Sequence, residues 1–535
     1  MQNTFDYIVV GAGSAGCVVA SRLSENPSTS VLLIEAGKKD TNPAISIPGG
    51  VGSLVKPGPL NWNYYTEPQA ALNGRSLLWP RGKVLGGSSA INAMVYIRGN
   101  ARDYDEWAQL GCKGWSYDDV LPFFKKSEHS ERGNTDYHGG DGFLGTTKGT
   151  SKNPINDAFL KAGTEMGLPF TEDFNGAQQE GLGKYDQTVW SGRRQSTAKT
   201  FLKATKNRPN ITVLTEAQAR RVLLDGKRAT GVEVSRGETI QTYTATREII
   251  LSGGAINSPQ LLQLSGIGDP ADLQAVGIDV QHALMGVGKN LQDHLDINIY
   301  AHLKDPISLL RYKAPHRAIA EMLKWAFKKP GVLSDIITPV GGFLKTDPAL
   351  ERPDLQLHTI LGMSNLPHGL EDPVEHGFGI HVCQLRPHSR GTISLHSNDP
   401  LAPAKIDPNY LSAQEDLQVM IRGVKITREI LRQPSIKAII TDEKSPWPTV
   451  GMDDDTAIEA TIRQEAETIY HPVGTCAMGP EDQQTSVVNP RLKVIGIDGL
   501  RVADASIMPR LVGGNTNAPS IMIGEKCAAM IAADS

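Results

Sequence analysis

An α/β fold with two unlike domains is predicted by three features of this 535-residue chain. A glycine-rich turn joins an N-terminal strand to a helix, an acidic residue closes the next strand, and strand-like runs return in the middle and at the end of the chain. The turn is Gly11-Ala12-Gly13-Ser14-Ala15-Gly16, set between the apolar run Tyr7-Ile8-Val9-Val10 and a helix-like stretch reaching Leu23. Gly11 allows a tight turn, Gly13 lets the backbone approach a pyrophosphate, Gly16 lets the helix pack close to the strand, and free amides at the helix start face the anion. Ser30-Val31-Leu32-Leu33-Ile34 reads as the next strand, with Glu35 at its end placed to bind ribose hydroxyls. An acid there repels a 2′-phosphate, so FAD or NAD fits better than NADP.

The later strands are Ile211-Thr212-Val213-Leu214, the run from Ala229 to Val234, Glu248-Ile249-Ile250-Leu251 and Leu500-Arg501-Val502-Ala503. They predict a Rossmann-like domain built from discontinuous segments, 1–150, 205–300 and 460–535. Residues 151–204 and 301–459 are left for an α+β substrate-binding domain with a large sheet. That region mixes proline-bounded strands such as Gly391-Thr392-Ile393-Ser394-Leu395 with helical stretches such as Leu417 to Leu431. Its apolar residues Ile337, Leu357, Leu361 and Met363 read as core and not as pocket.

Composition narrows the function. Lys and Arg number 54 against 58 Asp and Glu, a formal charge of -4, which gives no footprint for nucleic acid and points to small-molecule partners. The five cysteines, Cys17, Cys112, Cys383, Cys476 and Cys527, are scattered without a CxxC pair, which predicts a reducing compartment and no metal cage. The first six residues lack a basic leader, and the longest apolar runs fall short of a membrane span, so a cytoplasmic protein is expected.

Two further segments carry glycine. Gly82-Lys83-Val84-Leu85-Gly86-Gly87-Ser88-Ser89-Ala90-Ile91-Asn92 combines flexible backbone with Ser88, Ser89 and Asn92, which can hydrogen-bond a planar or anionic ligand. In Gly254 to Gly268, Ser258 with Pro259 reads as the start of a helix that Gly266 stops. Near the end, Asn517 reads as the N-cap of a helix over 518–533, with Pro519 tolerated in its first turn.

These two segments resemble the two signature patterns of the glucose-methanol-choline (GMC) oxidoreductase family, and the first turn resembles its ADP-binding motif. Tyr470-His471-Pro472-Val473-Gly474-Thr475-Cys476 and Asp504-Ala505-Ser506 through Asn515-Thr516-Asn517 also resemble that family, so the likeness spans most of the chain. Within it the chain is most similar to bacterial FAD-dependent alcohol dehydrogenases, the choline-dehydrogenase-like branch that includes long-chain alcohol and polyethylene glycol dehydrogenases.

The resemblance implies FAD as cofactor. It implies contacts from Gly11, Gly13, Ser14, Ala15, Gly16, Glu35 and Ala36 at the first turn and strand, and from Arg81, Leu85, Gly86, Gly87, Ser88, Asn92, Ala93, Met94 and Val95 around the second glycine cluster. Ala219, Asp504, Ala505, Asn515 and Thr516 complete the implied set. Some relatives attach flavin through a histidine just before the asparagine matched by Asn92; Ile91 stands there, so noncovalent FAD is expected. His471 matches the base that takes the hydroxyl proton while the α-hydride passes to flavin N5, and a neutral imidazole suits that task. Asn515 matches the second active-site position, where an amide can donate to the substrate oxygen.

The activity so implied is oxidation of a primary alcohol to its aldehyde, the substrate being a medium- or long-chain aliphatic alcohol or a polyethylene glycol. A quinone-type or artificial acceptor would take the electrons. Choline oxidation, an oxygen-using alcohol oxidase and a non-enzymatic FAD-binding protein remain alternatives. Between Arg311 and Lys329, six cations and the lone acid Glu321 are interleaved with Ile319, Met322, Leu323, Trp325 and Phe327. This pattern fits a solvated basic face on an ordinary lid helix, with a peripheral contact with the inner face of the cytoplasmic membrane as the alternative.

Overall fold

A computed structural model describes residues 3–150, 153–363 and 374–534. Its first sheet has the strand order Ile211–Leu214, Val31–Ile34, Thr4–Val10, Thr239–Leu251, Arg228–Arg236 and Gln218–Asp225, and Leu500–Val502 also pairs with Thr239–Leu251. The pairs among Ile211–Leu214, Val31–Ile34, Thr4–Val10, Thr239–Leu251 and Leu500–Val502 are all parallel. Ile8 stands opposite both Leu32 and Ile249. The inner strands read as unbroken apolar runs because they are buried on both faces, so no alternation with polar residues is needed. Ile8, Val9, Leu33, Ile249 and Ile250 are fully buried.

Helices Ser14–Leu23 and Asn517–Asp534 pack together on this sheet. Glycine sets how closely. A Cβ on Gly16 would lie 1.9 Å from the Gly11 carbonyl oxygen, and one on Gly524 would lie 2.7 Å from that of Ala15. The chain therefore brings the starts of its first and last helices side by side, and the Ser14 hydroxyl donates to the Asn517 side chain over 2.7 Å.

The second sheet runs Ile440–Glu443, Leu295–Leu303, Gly377–Gln384, Leu355–Ile360, Val340–Leu344, Gly181–Lys184 and Phe170–Thr171, with Glu467–Thr468 also paired to Leu295–Leu303. It therefore begins six residues before 301 and takes in a strand beyond 459. Helix Gln414–Leu431 covers one face, where Leu355 and Leu357 pack with Met420, Ile421 and Val424. Alternation along the strand sends Gln356, His358 and Ile360 to the other face, toward the first domain.

Local signals were read with two shifts. The helix assigned to start at Ser258 spans Gly254–Leu264, with Pro259 inside it. Proline has no N–H for the carbonyl four residues back, and that carbonyl, of Ala255, instead accepts the Thr475 hydroxyl at 2.6 Å. Asn517 is the first residue of its helix and accepts Ser14, so it does not cap that helix with its side chain.

The basic segment forms a 3₁₀ turn, Leu309–Lys313, and a helix, Pro315–Ala326. Glu321 is buried beneath the helix, accepting Lys324 and the Val332 amide. The Trp325 indole N–H donates to the Gly192 carbonyl. Ile319, Met322, Leu323 and Phe327 stay outside, 61%, 48%, 53% and 72% exposed. Among the described residues no helix is long and apolar enough to cross a membrane. All five cysteines are buried.

Candidate functional site

One cavity runs from the first glycine turn to the second sheet. Its wall holds Gly11, Gly13, Ser14, Ala15, Glu35, Ala36 and Ala219 at one end. Arg81, Gly87, Ser88, Asn92, Ala93, Met94 and Val95 follow along it, then Asp504, Ala505, Asn515, Thr516 and His471. Gly16, Leu85 and Gly86 lie outside that wall and act from behind it. Gly16 lets the helix meet the turn, the Leu85 side chain packs on the core, and the Gly86 amide donates to the Ala12 carbonyl at 2.8 Å. Ser89 is also turned away, donating to the Gly86 carbonyl and accepting the Thr197 amide.

At the glycine end, helix Ser14–Leu23 has no side-chain cap, so its first amides are offered to the cavity. A Cβ on Gly13 would meet no protein atom closer than 4.0 Å, so the space it lacks belongs to the cavity. The second glycine cluster leans on this turn, since a Cβ on Gly87 would come within 2.7 Å of the Gly13 Cα. Glu35 accepts the Ala12 amide at 3.0 Å and the Gly37 amide at 2.7 Å. Burial pushes its carboxyl up to about 7 against the pull of those amides and of Lys83. Uncapped amides, a glycine-walled groove and a carboxylate at its edge make a cradle that fits a dinucleotide.

Asp504, on the cavity wall, is also engaged within the protein. Its carboxylate accepts the Gly254 amide, the Ser258 hydroxyl and the Ser506 amide, at 2.6 to 2.8 Å. It pins the start of helix Gly254–Leu264 to the C-terminal segment while remaining part of the cavity wall. Asn92 is held through its side-chain oxygen, which accepts Arg194 at 2.8 Å and the Met94 amide at 3.2 Å.

At the opposite end stands His471. Its backbone is fixed from both sides: the Asp293 carboxylate accepts its amide at 2.7 Å, and Arg81 donates to the carbonyl of Tyr470, which itself sits at φ +70°. The ring makes two contacts, Nδ1 with His294 Nδ1 at 3.0 Å and Nε2 with the Asn515 side-chain nitrogen at 3.2 Å. The network assigns the protons. His294 Nε2 lies 3.1 Å from the Leu385 carbonyl, which can only accept, so a neutral His294 carries its proton there and accepts at Nδ1. His471 must then donate from Nδ1, leaving an unprotonated Nε2 that accepts from Asn515. The Asn515 oxygen in turn accepts Gln356 at 3.1 Å.

Electrostatics agree with that assignment. Burial, with His294, His358 and Arg81 nearby, holds His471 well below the ordinary imidazole range, and burial takes His294 down to about 3. The site therefore presents a neutral imidazole lone pair beside an amide, a geometry suited to taking a proton from a weak acid.

Sequence reasoning missed His294, Asp293, Gln356, His358 and His381. They lie on or beside strands of the second sheet, where no local motif marks them. The one available signal was the strand alternation that points Gln356, His358 and Ile360 the same way. Ile337, read as core, lines the cavity, whereas Leu357, Leu361 and Met363 are buried as expected.

A family model described as GMC oxidoreductase matches this chain in two parts, residues 5–296 and residues 387–524. The chain is 48% identical over 532 residues to an "Alcohol dehydrogenase [acceptor]" of Pseudomonas putida, covering 98% of this chain and 95% of that protein. It is 43% identical over 538 residues to the mitochondrial choline dehydrogenase of Homo sapiens, covering 99% and 90%. Among solved structures, pyridoxine 4-oxidase from Mesorbium loti superposes with a TM-score of 0.89 at 29% identity, covering 98% of each chain.

Proposed function

Since the chain belongs to the GMC oxidoreductase family and uses its FAD cofactor, we propose that it oxidises a primary alcohol to the aldehyde and hands the electrons to a quinone-type acceptor. FAD, when bound, supplies the hydride acceptor at N5. The observation that carries the reading is the His471 ring at the cavity wall, its Nδ1 3.0 Å from His294 and its Nε2 3.2 Å from the Asn515 side chain.

In this reading the alcohol hydroxyl gives its proton to His471 Nε2, and the imidazolium so formed keeps its Nδ1–H bond to His294. The Asn515 amide, fixed by Gln356, orients the alcohol oxygen and later faces the carbonyl oxygen. Burial of this end excludes water, which strengthens each of these contacts. Gly13, Ser14 and Ala15 would receive the pyrophosphate and Glu35 the ribose. Asn92 to Val95 and Thr516 would flank the ring system, with Ile91 offering no nucleophile for a covalent link.

The relative named as an alcohol dehydrogenase supports the alcohol reading, and Met94, Val95, Ile337, Ile360 and Ile469 give the substrate end an apolar wall suited to an aliphatic or polyether tail. Choline is less well served. A cation cage needs free aromatic faces, but Trp62, which lines the cavity, is stacked on Tyr64 and carries the Lys83 ammonium 4.3 Å from its ring centre. The Asp296 carboxylate is already paired with His381. The acceptor reading draws support from helix Pro315–Ala326, whose exposed apolar residues and flanking cations suit an anionic membrane surface where quinones reside.

Turnover of 1-octanol with an artificial acceptor, with peroxide measured in a parallel aerobic assay, tests the reading. Acceptor-dependent aldehyde formation with little peroxide is expected; stoichiometric peroxide would make the protein an oxidase, and no aldehyde would refute alcohol oxidation.

A further inference from the structure

Two polar side chains in the substrate end of the cavity have no hydrogen-bond partner. His358 is 3% exposed and Thr338 is 6% exposed; both line the cavity, and neither His358 ring nitrogen nor the Thr338 hydroxyl is paired. Asn515 stands beside the His358 ring without a hydrogen bond of good geometry. The ring packs beside Tyr185, at 5.4 Å, and His381, at 6.4 Å between centres. Leaving such groups unpaired is costly, and native interiors avoid it unless a ligand or water completes them.

We propose that His358 and Thr338 receive a second, neutral oxygen of the substrate, so that the preferred substrates are alcohols with an ether or hydroxyl oxygen close to the reacting hydroxyl, such as glycol monoethers and polyether ends. The inference rests on the reading of His471 and Asn515 as the site of alcohol oxidation and decides between the two substrate tails left open there. A simple alkanol entering this space would displace whatever water satisfies the two groups and give nothing in return. An oxygen-bearing substrate replaces those hydrogen bonds. Sites built around a polar group discriminate strongly against the analogue lacking it, whereas an apolar wall separates chain lengths only weakly. Burial, with His381 and His294 nearby, holds His358 down to about 3, so the ring offers one N–H and one lone pair, which suits an uncharged oxygen and not a carboxylate.

The isosteric pair 2-methoxyethanol and 1-butanol tests this in the holoenzyme. The quantity read is the ratio of their kcat/KM values in the wild type, in His358→Leu and in Thr338→Val, which is the same size as threonine and guards against a folding artefact. The ratio is expected to favour 2-methoxyethanol in the wild type and to fall about tenfold in His358→Leu and several-fold in Thr338→Val, mainly through KM, with FAD content unchanged. An unchanged ratio in both variants would overturn the proposal. Equal loss on both substrates would also overturn it, by placing His358 on the reacting hydroxyl. Failure of both alcohols to reduce the wild-type flavin would instead strike the parent reading, and the proposal with it.

Discussion

His294 and His471 meet through their Nδ1 atoms, 3.0 Å apart with ring planes at 89°. Only one of two facing Nδ1 atoms can donate. The Leu385 carbonyl at the far side of His294 decides which, and by deciding it leaves Nε2 of His471 without a proton, facing the Asn515 side chain. A carbonyl just past the end of strand Gly377–Gln384 thus sets the tautomer of the proposed base.

Removing the base tests the chemistry without disturbing the cofactor cradle, which is at the other end of the cavity. His471→Ala should purify with FAD and lose about 10²- to 10⁴-fold in kcat. Near-normal turnover would take His471 out of the mechanism.

Removing the lock tests the tautomer argument. His294→Leu leaves the His471 Nδ1–H buried without an acceptor, so kcat should fall about tenfold or more while substrate binding changes little. Nitrogen-15 spectra of the histidine-labelled wild type should show His471 protonated at Nδ1 and bare at Nε2. The opposite tautomer would contradict the relay.

The pH profile follows from the direction of the His471 shift. A base whose pKa lies well below 6.5 stays unprotonated as pH falls through 6.5, so the acid limb of kcat/KM should lie below that value. A limb centred at or above 6.5 would mean that His471 is not held neutral by its surroundings.

The two glycines of the first turn should separate in effect. Gly13 adopts φ -84° and has open space at its Cβ position, so Gly13→Val should fold, with stability near wild type, and purify largely free of FAD. In Gly16→Ala the new Cβ would collide with the Gly11 carbonyl at 1.9 Å, so soluble protein should be scarce. Absorbance at the flavin band per protein, set beside the melting curve, distinguishes the two.

The first turn was legible because its physics is local: strand, three glycines, helix and the closing Glu35 lie within 32 residues, Thr4 to Glu35, and each constrains its neighbour. His471 and Asn515 were legible through the flanking motifs. The rest of the site was not, because His294, Gln356 and His358 acquire meaning only when antiparallel pairing sets Gln356 opposite Cys383 and folds the sheet over the cavity. Pro259 shows the same limit at short range. Read alone it starts a helix, yet the Thr475 hydroxyl, 216 positions away, satisfies the Ala255 carbonyl and lets the helix begin at Gly254. Asp504 reads as a ligand contact, and only the fold shows that Gly254, Ser258 and Ser506 also donate to its oxygens.

Membrane contact has its own test. Leu323→Ser/Phe327→Ser removes two exposed apolar side chains and leaves the Glu321–Lys324 ion pair intact. Wild-type protein should float with phosphatidylglycerol vesicles at low salt and less so at high salt, and the double variant should stay behind. Equal flotation of both, or of neither, would remove this surface from the account of the electron acceptor.

The central claim, alcohol oxidation at His471, is tested most directly by anaerobic titration of the yellow holoenzyme with 1-octanol and 2-methoxyethanol, the flavin absorbance being followed in wild type and His471→Ala. The account predicts rapid bleaching of the wild-type flavin by alcohol and bleaching slower by at least about a hundredfold in the variant. A wild-type flavin that stays oxidised, or a variant that bleaches as fast, would contradict it.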